Sequence, residues 1–166
     1  WCLGTMTFSN QTPQDEAFRQ IDTARAAGID FLDTAEIYPV APIGKDTVGN
    51  TERVIGNWIA QNGRQGVKIA TKIAGKGSVC RDGEAVTGAS VRRCVEDSLG
   101  RLQTDHIDVY QIHAPNRGHY GFRQMWSYDP SRQNRAETIA NMDDVLGELA
   151  KLRDEGKVGH FGLSNE

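Results

Sequence analysis

The sequence predicts an α/β protein built on a parallel sheet. Short apolar runs of strand length alternate with longer stretches whose apolar residues recur at i, i+3, i+4 and i+7. The runs are continuously apolar, as parallel strands covered by helices require. Strand starts fall very roughly 30–50 residues apart, the rhythm of a repeating strand–helix unit.

The elements follow in order. Trp1–Met6 reads as the first strand. Thr12 is an N-cap with Pro13 at the first helical position, and Gly28 closes that helix. Its buried face is Ala17, Phe18, Ile21 and Ala24. Ile29–Thr34 is the second strand. A second helix opens near Thr51-Glu52 and turns Val54, Ile55, Trp58 and Ile59 inward. Val67–Ile73 is the third strand. A third helix opens at Thr87–Ser90, with Val91, Cys94, Val95, Ser98, Leu99 and Leu102 on one face. Ile107–His113 is the fourth strand. A fourth helix carries Met142, Val145, Leu146, Leu149 and Leu152 and ends around Gly156. His160–Ser164 is the fifth strand.

Two architectures fit this order: an open doubly wound sheet, or part of a (β/α)8 barrel. A complete barrel takes about 250 residues. The 166 residues here offer roughly five strands and four helices, so a barrel would be incomplete. Both ends fall inside core elements, and the first residue is Trp1 rather than Met. A segment of a longer protein is therefore expected. The connection Ala114–Asn141 is far longer than an ordinary βα loop and holds Tyr120, Phe122, Trp126 and Tyr128. It reads either as a surface insertion with its own small apolar cluster or as a wall of a substrate pocket.

Composition excludes several function classes. The net charge is −3, from 19 basic and 22 acidic residues, and no Lys/Arg stripe offers a nucleic-acid footprint. No apolar run approaches the ~18 residues of a membrane span, and no signal peptide is visible. Cys2, Cys80 and Cys94 read as free thiols in a reducing, cytoplasmic setting.

Common motifs fail one by one. Gly75-Lys76-Gly77 follows a strand, but Cys80 stands where a dinucleotide fingerprint needs Gly or Ala. Gly44-Lys45 lacks the earlier glycine of a phosphate loop, Pro39 standing there. Gly162-Leu163-Ser164-Asn165-Glu166 ends in Glu where a nucleophile elbow needs Gly. His106, His113 and His119 have no partners at zinc spacing, so no metal is expected.

The positive signal is spread over strand ends. Asp33 ends the second strand, and Tyr38 follows in a Pro-rich loop. Lys72 lies near the end of the third strand, and His113 ends the fourth. The C-terminal ends of parallel strands converge on one face, which would gather an acid, a phenol, an ammonium and an imidazole. Singly, each has a bland reading: a turn cap, a packed loop residue, a solvated amine, a satisfied core histidine. Lys72 is the most telling, because an ammonium in an apolar strand costs several kcal/mol without a partner.

These residues sit in text that resembles the aldo-keto reductases. The matching stretches are Leu3-Gly4-Thr5-Met6, Asp33-Thr34-Ala35-Glu36-Ile37-Tyr38, Ala70-Thr71-Lys72, Asp108–His113 and Gly162-Leu163-Ser164-Asn165. Glu36–Ala41 with Pro42, and Gly56-Asn57-Trp58, are most similar to the bacterial Tas-like branch. The resemblance covers essentially the whole chain. It implies the first five strands and four helices of a (β/α)8 barrel, with residues 1–166 the N-terminal part of a single domain. It also implies NADPH-dependent reduction of a small aldehyde or ketone. Tyr38 matches the general acid, Lys72 and Asp33 its supporting pair, and His113 the residue that orients the carbonyl. Ser164 and Asn165 match the pair holding the nicotinamide carboxamide, and Thr5 and Met6 the first-strand lining of that site. Trp126 is expected to contact the substrate from the long loop. The family's later strands and phosphate-gripping loop lie beyond Glu166, so these residues alone would be inactive. A regulatory subunit that keeps the fold and binds a nicotinamide but acts through a partner is the alternative.

The chemistry agrees with the assignment. A carbonyl that receives hydride must be protonated on oxygen, and a free tyrosine of pKa about 10 is a weak acid for this. An ammonium about 4 Å away favours phenolate by up to about 4 kcal/mol, which predicts a lowered tyrosine pKa before burial offsets it.

Overall fold

The computed structural model describes residues 1–122 and 124–165. Five strands form one parallel sheet in sequential order: β1 (Leu3–Gly4), β2 (Phe31–Asp33), β3 (Lys68–Ile73), β4 (Ile107–Ile112) and β5 (Val158–Leu163). Between them run α1 (Gln14–Ala26), α2 (Asn50–Asn62), α3 (Gly88–Leu102) and α4 (Arg135–Asp154). Successive helices pack against one another, α1 on α2, α2 on α3 and α3 on α4, so all four lie on one side of the sheet. Sequential order with one-sided helices is the barrel-type arrangement, with five of the eight strands a closed barrel has. A doubly wound sheet would reverse its order and carry helices on both faces.

Register fixes which side chains face the helices. Leu32 pairs with Ile69, and Thr71 with Tyr110, on the outer face. These strands meet the apolar stripes of the helices in one core, where Trp58, Tyr110, Ile69 and Leu149 are fully buried. Burying a side chain of this size stabilises the fold by roughly 1.5–3 kcal/mol. Trp58 also donates from Nε1 to Asp22 at 3.0 Å, which satisfies its one polar atom. The complementary residues Asp33, Ala70 and Lys72 point inward, and they are paired in register with Gly4, Val109 and Gln111.

Helix ends follow local chemistry. Thr87 caps α3 by accepting from the Ser90 amide, while the Ser90 hydroxyl accepts from the Thr87 amide. Gly28 adopts φ +81 after α1, and Ile29 N–H returns to Ala24 O, a left-handed stop that favours glycine. The start of α1 differs from the expectation. Pro13 is the capping residue, and the Thr12 hydroxyl is engaged with the Thr7 hydroxyl at 3.1 Å instead of the helix. Helix α4 begins at Arg135, inside the stretch read as loop. Its first turns carry no inward stripe, since only Val145, Leu149 and Leu152 of the helix are buried. The strand expected over Trp1–Met6 is ladder-paired only at Leu3–Gly4.

Candidate active site

Strand alternation brings Asp33 and Lys72 to the same inward face, at the C-terminal ends of β2 and β3. Lys72 is buried, and each of its three ammonium donors is used. Nζ donates to both Asp33 carboxylate oxygens at 2.8 Å and to Thr34 O at 2.7 Å. This complete satisfaction is what permits a cation inside an apolar strand.

Tyr38 sits on the β2–α2 loop. Its amide donates to Ala35 O at 3.0 Å, closing a turn that carries the ring back over the strand ends. Lys72 Nζ lies 5.2 Å from the centroid of the phenol ring. His113 meets the same ring edge-on, with centroids 5.8 Å apart and planes at 76°. The structure therefore gathers Asp33, Tyr38, Lys72 and His113 into one cluster.

The electrostatics correct one expectation. The Tyr38 pKa is raised, by burial and then by the Asp33 carboxylate. Burial outweighs the lowering expected from a nearby ammonium, and the Lys72 charge is paired with Asp33, whose carboxylate adds to the rise. His113 is pushed down to about 4, first by burial and then by Lys72. At neutral pH the cluster thus holds a protonated phenol and a neutral imidazole. Both can donate a hydrogen bond to an incoming oxygen.

The end of β5 is tied to the same place. Ser164 N–H donates to Ile112 O at 2.9 Å, which extends the ladder past the strand. Asn165, at φ +57, donates from Nδ2 to His113 O at 2.8 Å and to Ser164 Oγ at 3.0 Å. On the other side, Thr5 is buried and donates to Asp33 O from its amide at 3.1 Å and its hydroxyl at 2.8 Å. Met6 beside it is 47% exposed. Trp126 is not brought in: it is 95% exposed on the β4–α4 connection. Tyr120 and Tyr128 of that connection make an edge contact at 6.3 Å, the small aromatic cluster of an insertion. The connection also walls a cavity of about 380 Å³ between the N-terminal ends of α3 and α4, lined in part by Lys76, Asn116, Gln133 and Glu137. None of the four clustered residues lines it.

Two buried acids behind the cluster were not singled out by sequence reasoning. Glu52 is fully buried on α2 and accepts from Thr71 Oγ1 and Arg101 Nε, both at 2.6 Å. Glu36 is buried between Asp33 and Tyr38 in the chain and accepts from Ala74 N–H at 2.8 Å. The available signal was weak: Glu36 lies between the two site residues Asp33 and Tyr38 in the chain, and Glu52 stands two residues before the apolar stripe of α2 that begins at Val54.

Among the described residues, no helix is long and apolar enough to cross a membrane, and no group of three or more His, Cys, Asp or Glu is placed to hold a metal.

Comparisons with known proteins agree on one family. The model of the Aldo/keto reductase family matches residues 2–166. Protein tas of Escherichia coli is 39% identical over 172 residues, covering 99% of this chain and 47% of its own length. The uncharacterized oxidoreductase YrpG of Bacillus subtilis is 47% identical over 174 residues, covering 99% of this chain and 52% of its own. The chain thus spans about half the length of the curated relatives it matches. Among solved structures, the aldo-keto reductase AKR11C1 of Bacillus halodurans, in its holo form, superposes with a TM-score of 0.68 at 28% identity. That match covers 98% of this chain and 45% of the other.

Proposed function

The chain belongs to the aldo/keto reductase family, and from that premise we propose that it forms the N-terminal, acid-bearing part of a single barrel domain. That domain reduces a small aldehyde or ketone with NADPH in the cytoplasm. The observation that carries this reading is the cluster itself: Lys72 held by Asp33 beneath the Tyr38 ring, with His113 against its edge.

NADPH, when bound, would supply hydride to the carbonyl carbon. The Tyr38 hydroxyl would give its proton to the carbonyl oxygen as the C=O π pair moves onto it. The alcohol results, and the phenolate left behind is reprotonated from solvent. Lys72 stabilises that phenolate. Its ammonium lies 5.2 Å from the ring centre and attracts the developing negative charge, an attraction partly cancelled by Asp33. The raised pKa of resting Tyr38 keeps its proton in place until the oxygen becomes basic. Neutral His113 offers an N–H to the carbonyl oxygen and fixes its position.

The residues present fit the nicotinamide end of the cofactor. Among the described residues nothing donates to Asn165 Oδ1, and Ser164 Oγ accepts from Asn165 with its own proton still to give. One free acceptor and one free donor suit a carboxamide. Ser164 and Asn165 would hold it, with Asp33, Thr5 and Met6 lining the opposite side. Within the proposal, the exposed Trp126 meets the substituents of the bound carbonyl compound rather than the carbonyl.

The test is turnover of a generic aldehyde by the full-length protein, wild type against Tyr38→Phe. Loss of reduction with NADPH binding retained supports the reading. NADPH binding without turnover in the wild type supports the alternative, a subunit acting through a partner.

A further inference from the structure

We propose that the buried Glu36–Arg81 pair is a positioning device that sets the placement of Tyr38 relative to Lys72. This rests on the catalytic reading above and extends it to two residues that touch neither substrate nor cofactor.

The geometry is a closed triangle. Glu36 Oε2 accepts from Ala74 N–H at 2.8 Å and from Arg81 Nη1. The same guanidinium donates from Nη2 to Ala74 O at 2.8 Å. Glu36 N–H donates to Lys72 O at 3.0 Å, and Glu36 O accepts from Gly49 N–H at 2.8 Å. Glu36 lies two residues before Tyr38, and Ala74 two residues after Lys72. The triangle therefore fixes the loop bearing the phenol against the strand bearing the ammonium, without contacting either group. The remaining carboxylate oxygen faces the Cys94 thiol, which donates to it at 3.6 Å.

Two further observations single the pair out. The side chains are 6% and 10% exposed, so it lies away from screening water. Arg81 and its neighbour Asp82 both adopt left-handed backbone, at φ 51 and φ 53, though neither is glycine. Such strain persists only where surrounding contacts over-determine it, and it gathers at functional sites. Here the grip of the guanidinium on Glu36 and Ala74 supplies that determination. Lysine cannot replace it, because a single ammonium cannot present the planar fork that spans both acceptors.

The experiment measures steady-state kinetics of full-length Arg81→Lys and Glu36→Gln with NADPH and a generic aldehyde, beside wild type and Tyr38→Phe. A misplacement near 1 Å costs on the order of 100-fold in rate, so kcat should fall roughly 10- to 100-fold. KM for either reactant should stay within about 3-fold, because binding groups are untouched. The alkaline limb of the kcat profile should shift, and Arg81→Lys should add no further loss in a Tyr38→Phe background. Glu36→Gln keeps an acceptor for Ala74 N–H, so it reads the same quantities should Arg81→Lys fail to fold. Wild-type kcat and pH profile in a folded variant of either residue would overturn the positioning role. So would a loss confined to thermal stability. Turnover surviving in Tyr38→Phe overturns the catalytic reading instead, whatever the pair does.

Discussion

Lys72→Met removes one ammonium and leaves the rest of the strand intact. Three acceptor contacts vanish, the two to Asp33 and the one to Thr34 O. Two consequences follow, of separate size. For stability, breaking a buried pair costs about 3–5 kcal/mol when the abandoned charge cannot reach water. Asp33 is 30% exposed at its side chain and is rehydrated in part, so the lower end, about 3 kcal/mol, is expected. For chemistry, the phenolate loses the attraction of the nearby ammonium while the repulsion from Asp33 persists. That raises the Tyr38 pKa further and makes it a poorer acid. The predicted result is a kcat for carbonyl reduction about 100-fold lower, with the alkaline limb of its pH profile moved upward. The assay is NADPH consumption by the full-length protein from pH 6 upward, with circular dichroism to confirm folding. A variant whose plateau and alkaline limb both match wild type would refute the reasoning, because Lys72 would then be structural alone.

Other outcomes test other links. The low pKa of His113 means the unfolded chain takes up a proton that the folded chain refuses between pH 6.5 and about 4. Stability should therefore fall as pH drops through that window, by at most about 2 kcal/mol at pH 5, and be flat above pH 7. Urea titrations should show this slope in wild type and lose it in His113→Gln; equal slopes would contradict the burial account. Gly56 on α2 backs directly onto the carbonyl of Arg101, where a Cβ would collide with backbone. Gly56→Ala should cost about 1–3 kcal/mol by prying α2 from α3, and an unchanged urea midpoint would show the helices can shift freely. Trp126→Ala should leave stability within about 0.5 kcal/mol, given its exposure. It should change the ratio of kcat/KM between bulky and small aldehydes by about 1–3 kcal/mol. Identical ratios would place the long connection outside the substrate site.

What the sequence revealed tracks what is encoded locally. The apolar stripe of α3 and its Thr87–Ser90 cap are contained in one short stretch, and both were legible. The sequential strand order follows from repeated strand–helix units, in which each strand reaches its neighbour through a covering helix. The start of α4 was hidden because Arg135–Asn141 has no buried face, although Asn134 with Glu137 three residues on is a cap signature. Thr12 misled because its hydroxyl had a competing partner in Thr7, set by the turn after β1 rather than by the helix. The cluster of Asp33, Tyr38, Lys72 and His113 was legible because strand ends of a parallel sheet share one face. The Tyr38 pKa was not, since it depends on how deeply the ring is buried and how close the Asp33 carboxylate comes, which only the folded chain sets. Glu36 and Arg81 lay 45 residues apart, and only the folded chain brings them together.

The central claim is that Tyr38 delivers the proton while its neighbours hold it ready. Single-turnover reduction of a generic aldehyde by full-length Tyr38→Phe, with NADPH affinity read separately by fluorescence quenching, tests this most directly. The account predicts an unchanged NADPH affinity and a reduction rate at least about 100-fold below wild type, the usual scale of a lost general acid. A rate equal to wild type, at equal NADPH affinity, would contradict it.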